Sequence, residues 1–180
     1  MIFCNCCLSK DKCFMNNLDK MIRNVTLSDA KAIVDIYNEY ITGSTITFET
    51  ENITEDEMRK RIAELSEYKL YFVYESDGKV VGYCYAHPWK VRAAYSHTLE
   101  TTIYLSAECK GRGIGVALMN HLIAACRDKG YKALIACITE GNEASCALHR
   151  KLGFKQVSCF EKVGNKFGKW LNVTDFELLL

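Results

Sequence analysis

The 180-residue sequence has a single proline and neither an internal repeat nor a low-complexity tract. With 49% hydrophobic residues, that scarcity argues against disorder, collagen-like sequence and Pro-rich linkers. Net charge is also missing: 23 Lys and Arg stand against 22 Asp and Glu. No global field is available to hold nucleic acid or an anionic membrane, so neither is an expected partner and any anion site must be local. No apolar run approaches the roughly 20 residues that a membrane helix needs. What remains is a soluble globular chain of a length suited to one domain.

Ten cysteines are more than such a chain usually carries. Cys84, Cys109, Cys126, Cys137, Cys146 and Cys159 are scattered singly, several inside apolar runs such as Leu134-Ile135-Ala136-Cys137-Ile138. There they read as small hydrophobes, and without a secretory signal a reducing cytoplasm is the expected compartment. Cys4, Cys6, Cys7 and Cys13 cluster in the first twenty residues, but without the paired Cys-x-x-Cys spacing of a zinc site or a nearby histidine. No metal is expected. Residues 1–20 have no hydrophobic period and read as an unstructured extension, or as sequence ahead of a start at Met21. The folded domain is expected over 21–180.

From Met21 onward strand and helix patterns alternate. Residues 21–26 read as a strand, and Ser28 or Asp29 as a cap before Ala32, Ile33, Ile36, Tyr37 and Tyr40 at helical spacing. Thr54-x-x-Glu57 is a capping-box pattern for a second helix through Met58, Ile62 and Leu65. Residues 70–74 and 80–86 form strands joined by an Asp77-Gly78 turn, and a further strand covers 99–105. A helix follows Gly115 and ends near Gly130. Residues 133–138 read as a buried strand, and Asn142 opens a helix that stops at Gly153. Strands over 154–160 and 170–180 close the chain, with Gly164 and Gly168 between them. The order β-α-α-β-β-β-α-β-α-β-β is a mixed α/β domain around a central sheet, which by itself names no function.

The most informative stretch is Lys110-Gly111-Arg112-Gly113-Ile114-Gly115, between a strand and a helix. Glycines there let the backbone turn tightly and gather N–H groups at the positive end of the helix dipole, a local anion site suited to phosphate. The dinucleotide fingerprint fails, because Val116 or Leu118 stands where its third glycine belongs. The Walker A loop fails too, since the helix continues Val-Ala-Leu rather than Lys-Ser/Thr. A glycine-rich connection without a ligand is the plain alternative.

Lys110-x-x-Gly113-x-Gly115 resembles the Arg/Gln-x-x-Gly-x-Gly/Ala signature of the GNAT superfamily of N-acetyltransferases. Asn142-x-x-Ser145-x-x-Leu148-His149-x-x-Leu152-Gly153-Phe154 resembles that family's second cofactor segment. The likeness runs over nearly all of 21–180 and implies the GNAT fold: a mixed, mostly antiparallel sheet with helices on both faces. Five further blocks resemble the phosphinothricin and methionine sulfone acetyltransferase subgroup. They are Ile36-Tyr37-Asn38, Phe48-Glu49-Thr50, Trp89-Lys90-x-Arg92-x-Ala94-Tyr95, Thr98-x-Glu100 and Gly164-x-Lys166-Phe167-Gly168-x-Trp170. The resemblance implies acetyl transfer from acetyl-CoA to the α-amine of a small amino-acid-like acceptor, by direct attack in a ternary complex, in an enzyme that is a homodimer. Other readings are a GNAT enzyme acting on a polyamine, an aminoglycoside or a protein N-terminus, or an acyl-CoA-binding module without chemistry.

Attack on a thioester requires a neutral amine, whereas an α-amino group has an ordinary pKa of about 7.7–8.0. A base near the acceptor is therefore useful. Glu100, on an otherwise apolar and hydroxylic strand, is an outward carboxylate, an ion-pair member or that base; the subgroup resemblance implies the base. His149 stands where many GNAT enzymes carry a tyrosine that protonates the leaving thiolate. Its alternatives are a packed helix residue and an acid or proton-path role, for which Tyr104 and Tyr95 compete. Lys90 and Arg92 would share a face if their strand continued, and could then meet an acceptor's anion; otherwise they are a solvated loop. The resemblance makes Phe48 and Tyr95 walls of that pocket. It assigns the cofactor to Ile103, Tyr104 and Leu105 through strand amides, to Lys110, Gly111, Arg112, Gly113, Ile114 and Gly115, and to Asn142 and Ser145. Asn142 is equally suited to a plain helix cap.

Overall fold

The structure, a computed structural model, describes residues 21–180. The extension 1–20 and its four cysteines lie outside the described residues.

Strand β1 (Ile22–Asn24) leads through a short 3-10 turn into helices α1 (Ala30–Gly43) and α2 (Glu55–Ser66). Strands β2 (Tyr71–Ser76), β3 (Lys79–Pro88) and β4 (Thr98–Leu105) precede α3 (Ile114–Asp128), β5 (Ala133–Thr139), α4 (Glu143–Lys151), β6 (Lys155–Lys166) and β7 (Lys169–Leu179). The order of elements is the one the hydrophobic periods give. One seven-stranded sheet runs β1-β2-β3-β4-β5-β7-β6, and only β4 and β5 are parallel.

Both sheet faces are covered, because alternate residues of the central strands are apolar on each side. On β2, Phe72 and Tyr74 pack with Leu118, Met119 and Leu122 of α3, while Tyr71 and Val73 pack with Ile33 of α1 and with Met58 and Ile62 of α2. Local chemistry fixes the joints. Asp77 and Gly78 both take positive φ (51° and 73°), the two left-handed positions that a tight hairpin turn needs. The Thr54 hydroxyl caps α2 by accepting from the Glu57 amide at 3.1 Å. At the other edge, Arg23 on β1 donates to both oxygens of the buried Asp29 at 2.8 Å. Burial alone would raise that carboxyl; bonds from Arg23 and Thr26 outweigh it and hold its pKa below the usual value.

One open alternative is decided and one expected boundary is corrected. The third strand does not carry on through Lys90: it ends at Pro88, which has no amide to donate to a ladder. At the C-terminal hairpin, Gly164 is not in the turn. Strand β6 bulges between Phe160 and Gly164, re-pairs Gly164 with Leu171, and continues to Lys166; the turn is Phe167-Gly168. Gly164 serves a different need there, since a methyl group on it would overlap the ring of Phe48.

The parallel register of β4 and β5 covers only Thr98–Glu100 against Ala133–Ile135. Beyond that, β4 stays paired with β3 as far as Leu105 and β5 with β7 as far as Thr139. The two strands part, leaving one edge of β4 unpaired and a wedge-shaped opening in the middle of the sheet.

Candidate active site

Two adjoining cavities occupy this opening. The first, about 350 Å³, is lined by Ile103 and Leu105 of β4, by Lys110, Gly111, Gly113 and Gly115, by Tyr40 of α1, and by Asn142, Ser145 and Leu148 of α4. The second, about 300 Å³, lies between Glu100–Tyr104 of β4 and Ala136–Thr139 of β5, roofed by Ile46, Thr47 and Phe48 from the α1–α2 connection, with His149 in its wall. Ile46, Ile103, Asn142 and Ser145 line both, so the cavities meet at the unpaired edge of β4.

The glycine cavity is built from main chain. Gly111 and Gly113 take φ of 77° and 81°, a left-handed conformation that disfavours other residues. Gly113 is the N-cap of α3 and offers no side chain to bond the first-turn amides, which stay free at the positive helix end. Gly115 faces Leu105 and Leu148 at ordinary van der Waals distance, 3.5 Å from where a methyl group on it would lie. The Lys110 ammonium lies over the Tyr40 ring at 4.8 Å, and the Tyr40 hydroxyl donates to the Leu105 carbonyl at 2.6 Å. Of the residues expected here, Ile114 turns its side chain into the core, leaving only its amide, and Arg112 is an exposed residue that lines neither cavity. Asn142 caps α4, its side-chain oxygen accepting from the Ser145 amide at 3.2 Å, while also lining both cavities.

The carboxylate cavity is built from side chains. Glu100, Phe48, Tyr104 and His149 meet in it although they are scattered over 102 positions of sequence, from 48 to 149. His149 is 3% exposed; its Nδ1 lies 2.8 Å from the Ser145 carbonyl one helical turn back, so Nδ1 carries the hydrogen and donates it. Its Nε2 is then a lone-pair acceptor, buried without a partner among the described residues. Burial pushes the His149 pKa down, only partly offset by the Ser145 bond, which keeps the ring neutral at pH 7. Tyr104 is held well above the ordinary phenol value, chiefly by burial, within contact of Tyr37 and Tyr40. Such a phenol gives up its proton less readily than a free one.

The sequence reading of Cys137 as a core hydrophobe needs correction. It is exposed, lines the carboxylate cavity, and pairs across the sheet with Asp175. Partial desolvation of its sulfur within the cavity wall and the nearby Glu100 and Asp175 carboxylates push the thiol pKa up, so it stays protonated and a poor nucleophile.

Lys90, Arg92 and Tyr95 line neither cavity. The chain leaves the sheet at Pro88; Lys90 stacks on Trp89 at 3.9 Å, and Arg92 precedes a 3-10 turn that holds Tyr95. Their loop nevertheless begins beside Glu100, because His87 is the β3 partner of Glu100. Residues the sequence reading passed over include Tyr40, Thr47 and Cys137. Tyr40 sits at helical spacing and reads as core, and nothing local marks Thr47 or Cys137.

A mixed sheet split between two parallel strands, with a main-chain anion cradle in one half of the split and a carboxylate in the other, defines a two-substrate transferase architecture. Residues 22–174 match the acetyltransferase (GNAT) domain family. Over 161 residues the chain is 37% identical to a phosphinothricin N-acetyltransferase of Streptomyces viridochromogenes, covering 87% of this chain and 88% of that one. It is 32% identical to an L-methionine sulfoximine/L-methionine sulfone acetyltransferase of Pseudomonas aeruginosa, covering 88% and 94%. Among solved structures it resembles a GNAT superfamily phosphinothricin acetyltransferase of Sinorhizobium meliloti in complex with acetyl-CoA, with a TM-score of 0.85, 34% identity, and 88% and 87% coverage. The chain belongs to the GNAT acetyltransferase family.

Among the described residues no helix is long and apolar enough to cross a membrane, and no group of three potential ligands is arranged to hold a metal ion.

Proposed function

We propose that this chain transfers the acetyl group of acetyl-CoA to the α-amine of a small amino-acid-like acceptor of the phosphinothricin or methionine sulfone/sulfoximine type. The observation that carries the reading is the junction of the two cavities along the unpaired edge of β4. The glycine cavity fits acetyl-CoA: two left-handed glycines and uncapped helix amides suit a pyrophosphate, with Lys110 adding charge. Asn142 and Ser145, lining both cavities, stand where the pantetheine arm would pass. Bound there, acetyl-CoA supplies an activated acyl group.

The protein's part is to orient, to deprotonate and to stabilise charge. Glu100 is the general base that takes a proton from the acceptor's ammonium, directly or through one water. Ile103 and Leu105 turn their N–H groups to the unpaired edge of β4, since Ser106, and with it Tyr104, points its own at β3. These two are the donors for the carbonyl oxygen on which negative charge grows, a preorganised set of the kind that dominates acyl transfer. With Nε2 unprotonated, His149 accepts the second proton that the attacking nitrogen loses as the amide forms, and returns it to the leaving thiolate. Phe48 walls the acceptor. Lys90 and Arg92 supply the cations for its acidic group; among the described residues no lysine or arginine lines the carboxylate cavity itself, and their loop starts next to Glu100. The enzyme works as a cytoplasmic homodimer, a reading supported by the exposed apolar side chains of Phe160, Val163, Phe167 and Trp170 on the β6–β7 hairpin.

Thiol release from acetyl-CoA with phosphinothricin, methionine sulfone and spermidine as separate acceptors tests this. Turnover of the amino-acid analogues, sharply reduced in Glu100→Gln, is expected; turnover of spermidine alone would sink the acceptor assignment.

A further inference from the structure

The Gly164-x-Lys166 segment of β6 touches no reacting group, yet it bears on the roof of the carboxylate cavity at two points. Gly164 accepts the Phe48 ring in the space a Cβ would fill. Two residues on, Lys166 is only 2% exposed and donates from Nζ to the Thr47 carbonyl at 2.8 Å. These positions lie more than 110 residues from the roof in sequence, and alternation along a strand puts 164 and 166 on one face.

Lys166 is an uncommon group to bury, since among the described residues it forms no ion pair, and beyond the Thr47 bond its ammonium lies over the Phe167 ring at 5.1 Å. Burial pushes its pKa down and Glu49, next to the roof, pulls it partly back. Thr47 is itself a hub: its hydroxyl shares a hydrogen with the Tyr37 hydroxyl at 2.8 Å and accepts from the Glu49 amide at 3.3 Å. Glu49 in turn is held by Arg61 of α2 at 2.8 Å. The roof is thus braced from α1 and α2 on one side and from β6 on the other. Phe48, between the two braces, is still 41% exposed, so its ring has somewhere to go if it is pushed.

We infer that Gly164 and Lys166 are positioning residues for acceptor specificity: together they template the Thr47–Phe48 roof and so set the size of the acceptor cavity, without contacting the acceptor. The inference rests on the proposed acceptor reading for its kinetic arm only. Gly164→Ala displaces the Phe48 ring; Lys166→Met keeps the stem but leaves the Thr47 carbonyl without its donor.

The test uses the full-length chain, with methionine sulfone as acceptor and uniformly fluorinated phenylalanine for 19F NMR. The Phe48 line is assigned from its absence in Phe48→Leu. Gly164→Ala is expected to move the Phe48 line and to raise the KM for methionine sulfone about tenfold, with the KM for acetyl-CoA within about twofold. Adding Phe48→Leu, which vacates the space, should recover much of that loss, a non-additivity that a general fold defect would not give. Lys166→Arg should stay close to wild type where Lys166→Met does not. A Phe48 line unmoved by Gly164→Ala and Lys166→Met overturns the inference, as do parallel increases in both KM values or a double variant no better than Gly164→Ala. If wild type fails to acetylate methionine sulfone, the acceptor reading falls, while the 19F shift still decides whether the template exists.

Discussion

The two halves of the opened sheet are built on different principles. The anion cradle of the glycine cavity is local: a single loop, its helix start and the adjacent strand edge supply it largely from main-chain atoms, although α1 and α4 help to wall the cavity. The carboxylate cavity is assembled from side chains on β4, β5, α4 and the α1–α2 connection, brought together from well-separated stretches of sequence. Main-chain recognition tolerates change in side chains but depends absolutely on φ. Side-chain recognition tolerates neither misplacement of a neighbour nor loss of a functional group, but can be retuned one residue at a time. A donor shared by a whole family suits the first construction, and an acceptor that differs between members suits the second.

The sharpest way to separate the halves is Glu100→Gln. Removing a base without changing shape should lower kcat by about 10²–10⁴ while leaving the acetyl-CoA dissociation constant unchanged. Stopped-flow turnover beside equilibrium binding reads both quantities; a comparable loss of donor affinity would mean that the cavities are not functionally distinct.

The reverse experiment is Gly113→Val. A branched side chain at φ of 81° forces the N-cap of α3 out of its left-handed conformation at a cost of about 1–2 kcal/mol or more. Acetyl-CoA affinity should fall more than about tenfold, with only a secondary change in acceptor KM. Calorimetric titration with CoA gives the first number directly.

The two variants differ in how legible their positions are in the sequence. Gly111, Gly113 and the strand-to-helix junction announce themselves by spacing, because a main-chain site leaves its signature within a few residues. The hairpin turn at Asp77-Gly78 was legible for the same reason. Glu100 was visible only as an acidic residue on an apolar strand, and its meeting with Phe48 and His149 follows from the parting of β4 and β5, which no local pattern encodes. Cys137 misled because its run is apolar on both sides; partial pairing of β4 with β5 is what uncovers it. Gly164 misled because a glycine between two strands reads as a turn, when its use is to admit a ring from 116 positions away.

Arg92→Ala bears on the part of the comparison in which loop and cavity stand apart. If the loop supplies the acceptor's counter-charge, the KM for methionine sulfone should rise about tenfold and become less sensitive to salt, since a screened cation has been removed. Acetyl-CoA kinetics should not change. Equal effects on a neutral amine acceptor would dissociate Arg92 from charge recognition.

The smallest expected effect concerns His149, the residue through which the carboxylate cavity touches the stability of the fold. Its pKa in the folded state lies below the ordinary 6.5 because burial disfavours the charged ring more than the Ser145 bond favours it. Above pH 6.5 the ring is neutral in both folded and unfolded chains, and its ionisation costs nothing. As the pH falls through 6.5, the unfolded chain takes up a proton that the folded chain resists, so stability is lost on the acid side and not on the alkaline side. Asp29 adds a separate loss at more acidic pH, since its folded pKa lies below the ordinary carboxyl value of 3.8. The two are separable by window: in His149→Phe, urea unfolding should lose the decline that begins near pH 6.5 and keep the one that begins near pH 3.8. A wild-type curve flat between pH 7.5 and 5.5 would mean that Nε2 is not sheltered, and with it the unprotonated acceptor proposed for the proton path would go.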